Sequence, residues 1–154
     1  MQVFISHSGK EPKLARRLAT ILRQAGFRVW DAYSNLYPGD NWAKLTAQAL
    51  EESQAMVVLL TPESLESRWV QSEIEYALGN KNYAWRLIPV LVGDPKKFQK
   101  DQIPWILEEL QMILLPEPEN GDAELAQVVE VLKRPLDFVS EDFKPAAGSV
   151  TAIS

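Results

Sequence analysis

The stretch AMVVLLTP, residues 55–62, decides the fold class of this chain. Its first six residues are all apolar, which is typical of a central parallel strand that is covered on both faces. The threonine and proline that follow favour the start of a helix, because proline is tolerated in a first helical turn. A buried strand that leads directly into a helix is the repeating unit of α/β proteins with a parallel sheet.

The same alternation of strand and helix extends on both sides of this stretch. Further strands are predicted at residues 2–6, 27–31, 86–92 and 112–115, and helices at 10–25, 41–53, 61–80, 103–110 and 123–133. This order predicts an α/β sandwich whose mostly parallel sheet carries helices on both faces. In such sheets, ligands bind beyond the carboxyl ends of the strands.

Two local signals refine this prediction. Pro38-Gly39 is strong turn punctuation, so residues 32–40 are predicted as a loop, with Asp40 as the N-cap of the next helix. Pro89 lies inside the fourth strand and cannot donate to a ladder, which predicts an edge strand or a bulge.

Composition limits the function classes. The chain has 154 residues, a net charge of −5 and a pI of about 5.0, which argues against a nucleic-acid-binding domain with a basic surface. It has no cysteine and one histidine, His7, which disfavours thiol chemistry and zinc sites built from Cys or paired His. No apolar run is long enough to span a membrane, and the N-terminus does not resemble a signal peptide, so we expect a cytoplasmic protein. We predict one domain over residues 1–135 and a linker or tail over 136–154 that leads to a sensor or partner domain.

Several nucleotide-binding and catalytic motifs are absent from the sequence. It contains no G-x-G-x-x-G after the first strand, no phosphate-binding P-loop and no G-x-S-x-G nucleophile elbow. The acidic residues typical of a response-regulator receiver are also missing from the ends of the first and third strands.

The segment SRWVQSEIEYAL, residues 67–78, contains two carboxylates in different environments. At about 100° per residue, its apolar stripe consists of Val70, Ile74, Ala77 and Leu78. Glu73 lies at the edge of this stripe, one turn after Trp69, whereas Glu75 lies on the outer face. A carboxylate beside the core and a tryptophan can have a perturbed pKa, which is a feature of functional sites. The alternative is a boundary glutamate that pairs with a lysine or arginine.

The order and spacing of several segments resemble the bacterial type of TIR (Toll/interleukin-1 receptor) domain over residues 2 to about 134. These segments are VFISHS (3–8), GFRVW (26–30), LYPGDNW (36–42), AMVVLLTPESLESRWVQSE (55–73) and RLIPVLV (86–92). The resemblance implies a flavodoxin-like three-layer sandwich with a five-stranded parallel sheet. It also makes residues 32–40 the BB loop, through which TIR domains contact one another.

The resemblance further implies an enzyme. Many TIR domains cleave NAD⁺ at the nicotinamide–ribose bond with a glutamate in a W-x-x-x-E pattern, here Trp69 to Glu73. NAD⁺ is then the substrate and no cofactor or metal is required. The expected product is ADP-ribose or a cyclic ADP-ribose, made by a NAD⁺ nucleosidase of bacterial antiviral immunity that is active as an oligomer. The implied substrate-binding residues are Trp69, His7, Ser8, Gly9, Lys10, Pro38, Gly39 and Asp40.

One position departs from the family pattern. Many relatives carry an acidic residue two positions after the aromatic residue of the second strand, whereas here Trp30 is followed by Asp31 and then Ala32. Substrate contacts at this point are therefore open. Two other functions also stay open: a non-catalytic scaffold that only assembles with other TIR domains, and cleavage of another nucleotide or a nucleic acid by the same glutamate.

Overall fold

The sheet has the five parallel strands that the sequence predicts. A computed structural model describes residues 1–83, 86–99 and 101–134. Its strands are β1 (Gln2–Ser6), β2 (Arg28–Asp31), β3 (Ala55–Leu60), β4 (Leu87–Val92) and β5 (Ile113–Leu115). They are all paired in parallel, in the order β2-β1-β3-β4-β5. The predicted three-layer α/β sandwich is thereby confirmed.

Helices cover both faces of this sheet. They are α1 (Pro12–Gln24), α2 (Ala32–Asn35), α3 (Trp42–Glu52), α4 (Pro62–Glu66), α5 (Arg68–Leu78), α6 (Trp105–Glu108) and α7 (Asp122–Lys133), with 3₁₀ turns at Pro95–Lys97 and Pro118–Asn120. Side chains alternate across a strand, so Val3 and Ile5 of β1 pack with α1 and α7. Phe4 lies on the opposite face, in the cluster that includes Leu50 of α3 and Ile74 of α5.

The region predicted as one helix over residues 61–80 is two helices. Ser67 has an extended conformation, with φ −76° and ψ 119°, which ends α4. Its side chain then accepts a hydrogen bond from the backbone N–H of Val70 and caps α5. The break sets the direction of α5 independently of α4, so α5 can place Glu73 against β1.

The predicted loop at residues 32–40 differs in two respects. It begins with a short helix, α2, because the carboxylate of Asp31 accepts the backbone N–H of Tyr33. The assignment of Asp40 as the cap of α3 is wrong: Asn41 is the cap, and its side chain accepts from Lys44 N. Asp40 instead accepts the backbone N–H of Tyr37 and closes the turn.

Pro89 lies in an inner strand, so the prediction of an edge strand or a bulge is wrong. Strand β4 pairs with both β3 and β5, and its register with β3 is unbroken. The carbonyl oxygen of Arg86 accepts from Met56 N of β3, so alternation turns the nitrogen of Pro89 away from β3. On that other side, pairing with β5 begins only at Val90. The missing N–H therefore removes no ladder hydrogen bond.

The predicted tail, residues 136–154, lies outside the described residues. Within the described ranges, no helix is long and apolar enough to cross a bilayer.

Candidate active site

A hydrogen bond between β1 and α5 defines the centre of the site. The Oγ of Ser6 donates to Oε1 of Glu73 over 2.6 Å, and both side chains are buried. Ser6 is the last residue of β1 and projects from the same face as Phe4, which is the face that α5 covers. Glu73 therefore lies at the carboxyl end of the central strands, the edge at which parallel sheets bind ligands.

The carboxyl group of Glu73 is electrostatically unusual. Burial raises its pKa to about 7, although the hydrogen bond from Ser6, the charge of His7 and the side chain of Trp69 all act in the opposite direction. In the part of the chain that the structure describes, no lysine or arginine forms a salt bridge with Glu73. The alternative of a boundary glutamate in an ordinary ion pair is therefore not what the structure shows.

A second buried pair lies beside the first. Nε2 of His7 is 2.7 Å from Oδ1 of Asp31, and Nδ1 of His7 is 2.7 Å from the carbonyl oxygen of Ser8. Both ring nitrogens therefore face oxygen atoms, one of a carbonyl group and one of a carboxyl group. Burial acts to raise the pKa of Asp31, but the hydrogen bond and charge of His7 and the contacts of α2 outweigh it and lower that pKa.

Asp31 also fixes the start of α2. Its two carboxylate oxygens accept from Tyr33 N and Ser34 Oγ, and its own N–H donates to the side chain of Asn35. Sequence reasoning left the role of Asp31 open. The structure shows that Asp31 links the end of β2 to α2 and to His7, the residue after β1, and that it is 1% exposed.

Half-exposed aromatic rings form the rim of the site. Tyr33, Trp42 and Trp69 are 47%, 39% and 43% exposed, although large aromatic side chains are mostly buried in folded proteins. The ring of Tyr33 lies 4.9 Å from the ring of His7 and 6.0 Å from that of Trp42. Sequence analysis missed Tyr33 and Trp42 as site residues, since neither belongs to a catalytic pattern.

The sequence matches the family model for the TIR domain over residues 3–129. The chain belongs to the TIR domain family. No curated protein matches this TIR domain significantly.

Solved structures share its fold. A TIR-STING receptor from C. gigas, in complex with 2′,3′-cGAMP, is 25% identical with a TM-score of 0.65, over 82% of this chain and 38% of that one. This TIR domain thus spans well under half of that receptor. The TIR domains of the activated Roq1 resistosome are 18% identical with a TM-score of 0.64, over 85% of this chain and 98% of that one. The Clostridium botulinum CMP N-glycosidase BcmB is 17% identical with a TM-score of 0.55, over 86% and 99%.

The structure gathers only some of the predicted site residues of the TIR domain around Glu73. The charge of His7 and a hydrogen bond from the side chain of Trp69 both lower the pKa of its carboxyl group. The Oγ of Ser8 is buried and has no hydrogen-bond partner among the residues that the structure describes, and Gly9 and Lys10 are exposed just beyond β1. Among the described residues, no hydrogen bond joins Pro38, Gly39 or Asp40 to Glu73 or to the end of β1.

A cleft of about 270 Å³ lies beside the site rather than over it. It is lined by Trp30, Asn35, Leu36, Leu45, Gln48, Ala49 and Glu52 of β2, α2 and α3. Neither Ser6 nor Glu73 lines this cleft, so its shape does not identify the reacting group. The described residues also contain no cluster of acidic or histidine side chains that could hold a metal ion.

Proposed function

We propose that this TIR domain cleaves NAD⁺ at the nicotinamide–ribose bond, with Glu73 as the catalytic carboxylate. The observation that carries the proposal is the buried carboxyl group of Glu73, which bonds to Ser6 and, among the described residues, has no cationic side-chain partner in an ion pair. A buried carboxylate without such a partner destabilises a fold, so its presence at a ligand-binding edge supports a functional role.

The chemistry requires one anion in a fixed position. When the bond between C1′ of the ribose and the pyridinium nitrogen breaks, its electron pair goes to the nitrogen and nicotinamide leaves as a neutral molecule. The ribosyl fragment acquires positive charge, which the ionised Glu73 stabilises. No general acid is needed for such a leaving group. Water then adds to C1′ and releases a proton to give ADP-ribose, whereas attack by a nucleophile within the same molecule gives a cyclic product.

Neighbouring side chains prepare Glu73 for this role. The hydroxyl of Ser6 donates to one carboxylate oxygen and holds its direction. Burial lowers the local dielectric constant, so the interaction between the anion and a cationic substrate is stronger than in water. NAD⁺ binding therefore favours the ionised form of Glu73, whose pKa burial raises in the free protein.

We propose that assembly of several TIR domains makes Glu73 accessible to the nucleotide. Glu73 is 4% exposed, so a nucleotide reaches it only after neighbouring side chains move. Residues 32–40 lie next to the site and are mostly exposed, and we propose that contact between TIR domains through this BB loop completes the active form. The Roq1 resistosome, whose TIR domains share this fold, supports assembly as a mode of action. We further propose a cytoplasmic role in bacterial antiviral immunity, with a sensor domain joined after residue 135.

The experiment is an NAD⁺ digestion with purified protein at high concentration or with a crowding agent. Nicotinamide release is followed by chromatography, and mass spectrometry identifies the ribosyl product. Glu73→Ala is expected to abolish release, whereas Glu75→Ala, an exposed glutamate on the same helix, retains it. Equal release by Glu73→Ala and wild type contradicts the mechanism.

A non-catalytic scaffold is the second candidate function. Tyr37 is 68% exposed in the BB loop, which favours a contact surface, and the near-complete burial of Glu73 is compatible with a structural role. No nicotinamide from the assembled wild-type protein, together with concentration-dependent association, supports the scaffold instead.

A further inference from the structure

Tyr33 occupies a position that neither the family pattern nor the proposed mechanism explains. It lies on α2, directly after β2, and its ring contacts the ring of His7 and forms a T-shaped pair with the ring of Trp42. Its phenol group lies against Gly9, where an added Cβ would be 2.9 Å from the Tyr33 oxygen. The ring thus bridges α2 and the turn after β1, beside the buried pair of Ser6 and Glu73.

We propose that Tyr33 is a base-binding residue, whose ring stacks on the pyridinium of the bound dinucleotide while Glu73 faces the adjoining ribose. This inference rests on the proposed NAD⁺ cleavage and deepens it. A flat cation is attracted to the electron-rich face of a phenol ring, and base–aromatic stacking adds to this attraction.

Exposure supports a binding role over a packing role. Tyr33 is 47% exposed, so much of its ring is open to solvent although it lies next to the buried His7. The negative charges of Asp31 and Glu73 both contribute to the raised pKa of Tyr33, after burial itself. Tyr33 is therefore within electrostatic reach of the carboxyl group of Glu73. When Glu73 faces C1′ of the ribose, the pyridinium ring, which is attached to C1′, lies in the same region as Tyr33.

The backbone around Tyr33 holds it in place before any ligand arrives. Asp31 accepts the N–H of Tyr33, bonds to Ser34 of the same helix and bonds to His7, the residue that follows β1. Asp31 thus ties the start of α2 to the end of β2 and to the residue after β1. A fixed ring binds a flat ligand with a smaller loss of conformational entropy than a mobile one.

The test separates binding from cleavage. NAD⁺ binding is measured by NMR titration in the Glu73→Gln background, which retains the ligand intact, with Tyr33→Phe, Tyr33→Leu and the control Trp105→Leu added singly. Trp105 is 58% exposed on α6, which follows β4 rather than β1 or β2. Tyr33→Leu is expected to raise Kd by about 5- to 30-fold, since it removes the aromatic ring but keeps an apolar side chain. Tyr33→Phe and Trp105→Leu are expected to change Kd less than twofold, and unfolding midpoints confirm that each variant is folded.

The Gly9→Ala variant provides a second, independent test of the role of Tyr33. The added methyl group collides with the Tyr33 oxygen, so it is expected to displace the ring and weaken NAD⁺ binding. In the Tyr33→Phe background the colliding atom is absent, and the loss should be smaller. An equal loss in both backgrounds means that Gly9 acts on the ligand without Tyr33, which contradicts this part of the inference.

The outcomes also distinguish this inference from the proposed function. Nicotinamide release by wild type with an unchanged Kd in Tyr33→Leu overturns the role of Tyr33 and leaves cleavage standing. Binding that depends on the Tyr33 ring, without any nicotinamide release by wild type, supports the base-binding site and overturns the enzyme. No NAD⁺ binding at all overturns the inference.

Discussion

Replacement of Glu73 by glutamine is expected to stabilise the protein at alkaline pH. The pKa of Glu73 rises from 4.5 to about 7 on folding, so between these pH values the folded state binds a proton that the unfolded state has lost. Folding is therefore penalised as pH rises through this window, and the full penalty is present above pH 7. At 1.36 kcal/mol per pKa unit it is on the order of 3 kcal/mol. Glutamine has the same shape, accepts from Ser6 and carries no charge, so it avoids the penalty.

Urea unfolding of wild type and Glu73→Gln at pH 5 and pH 8 measures this effect. The difference in free energy of unfolding between the two proteins should be small at pH 5 and on the order of 3 kcal/mol in favour of Glu73→Gln at pH 8. Glu75→Gln is the matched control on the exposed face of the same helix and should show no comparable pH dependence. An equal difference at both pH values would refute the reasoning, because it would mean that Glu73 has the same pKa in the folded and unfolded states.

Two further predictions concern the pH dependence of the rate and the hydrogen bonds of Asp31. The kcat/KM for nicotinamide release should rise about tenfold per pH unit below pH 7 and level off above it, because the free enzyme needs an ionised Glu73 with a pKa of about 7. Ser6→Ala should move that midpoint to higher pH, since the Ser6 hydrogen bond lowers the pKa; a midpoint that stays in place would exclude Glu73 as the titrating group. Asp31→Ala should lower the free energy of unfolding by about 2–4 kcal/mol, because it removes the partner of buried His7 and the cap of α2. A loss below 1 kcal/mol in urea unfolding would show that Asp31 does not hold these elements together.

The strand pattern of the sequence was sufficient to predict the sheet. The apolar residues 55–60 form the buried centre of the sheet, and all five predicted strands are present with boundaries that differ by one residue at most. The local errors came from side-chain hydrogen bonds that a periodic pattern does not contain. Ser67 splits a continuous apolar stripe because its hydroxyl caps the second helix, and Asn41 rather than Asp40 caps α3. Pro89 was misjudged because its effect depends on where the neighbouring strand begins.

The site was predictable where it depends on helical geometry. The spacing of 100° per residue over residues 67–78 places Glu73 at the border of the core, and the structure shows that Glu73 is buried. Its hydrogen bond to Ser6 was not predictable, because 67 residues separate the partners and only the sheet order brings them together. The same is true of His7 and Asp31, whose pairing depends on the register of β1 against β2.

The hydrogen bond between Ser6 and Glu73 also determines how early the site can form during synthesis on the ribosome. Ser6 is made first, and 67 residues must be added before Glu73 exists. At ~5–20 residues per second, that interval is roughly 3–13 s. The rest of α5 and strand β4 come later still, so the carboxyl group has no buried environment while the first strands emerge. In a nascent chain, Glu73 is therefore an ordinary acidic side chain, and its pKa rises only when the domain folds.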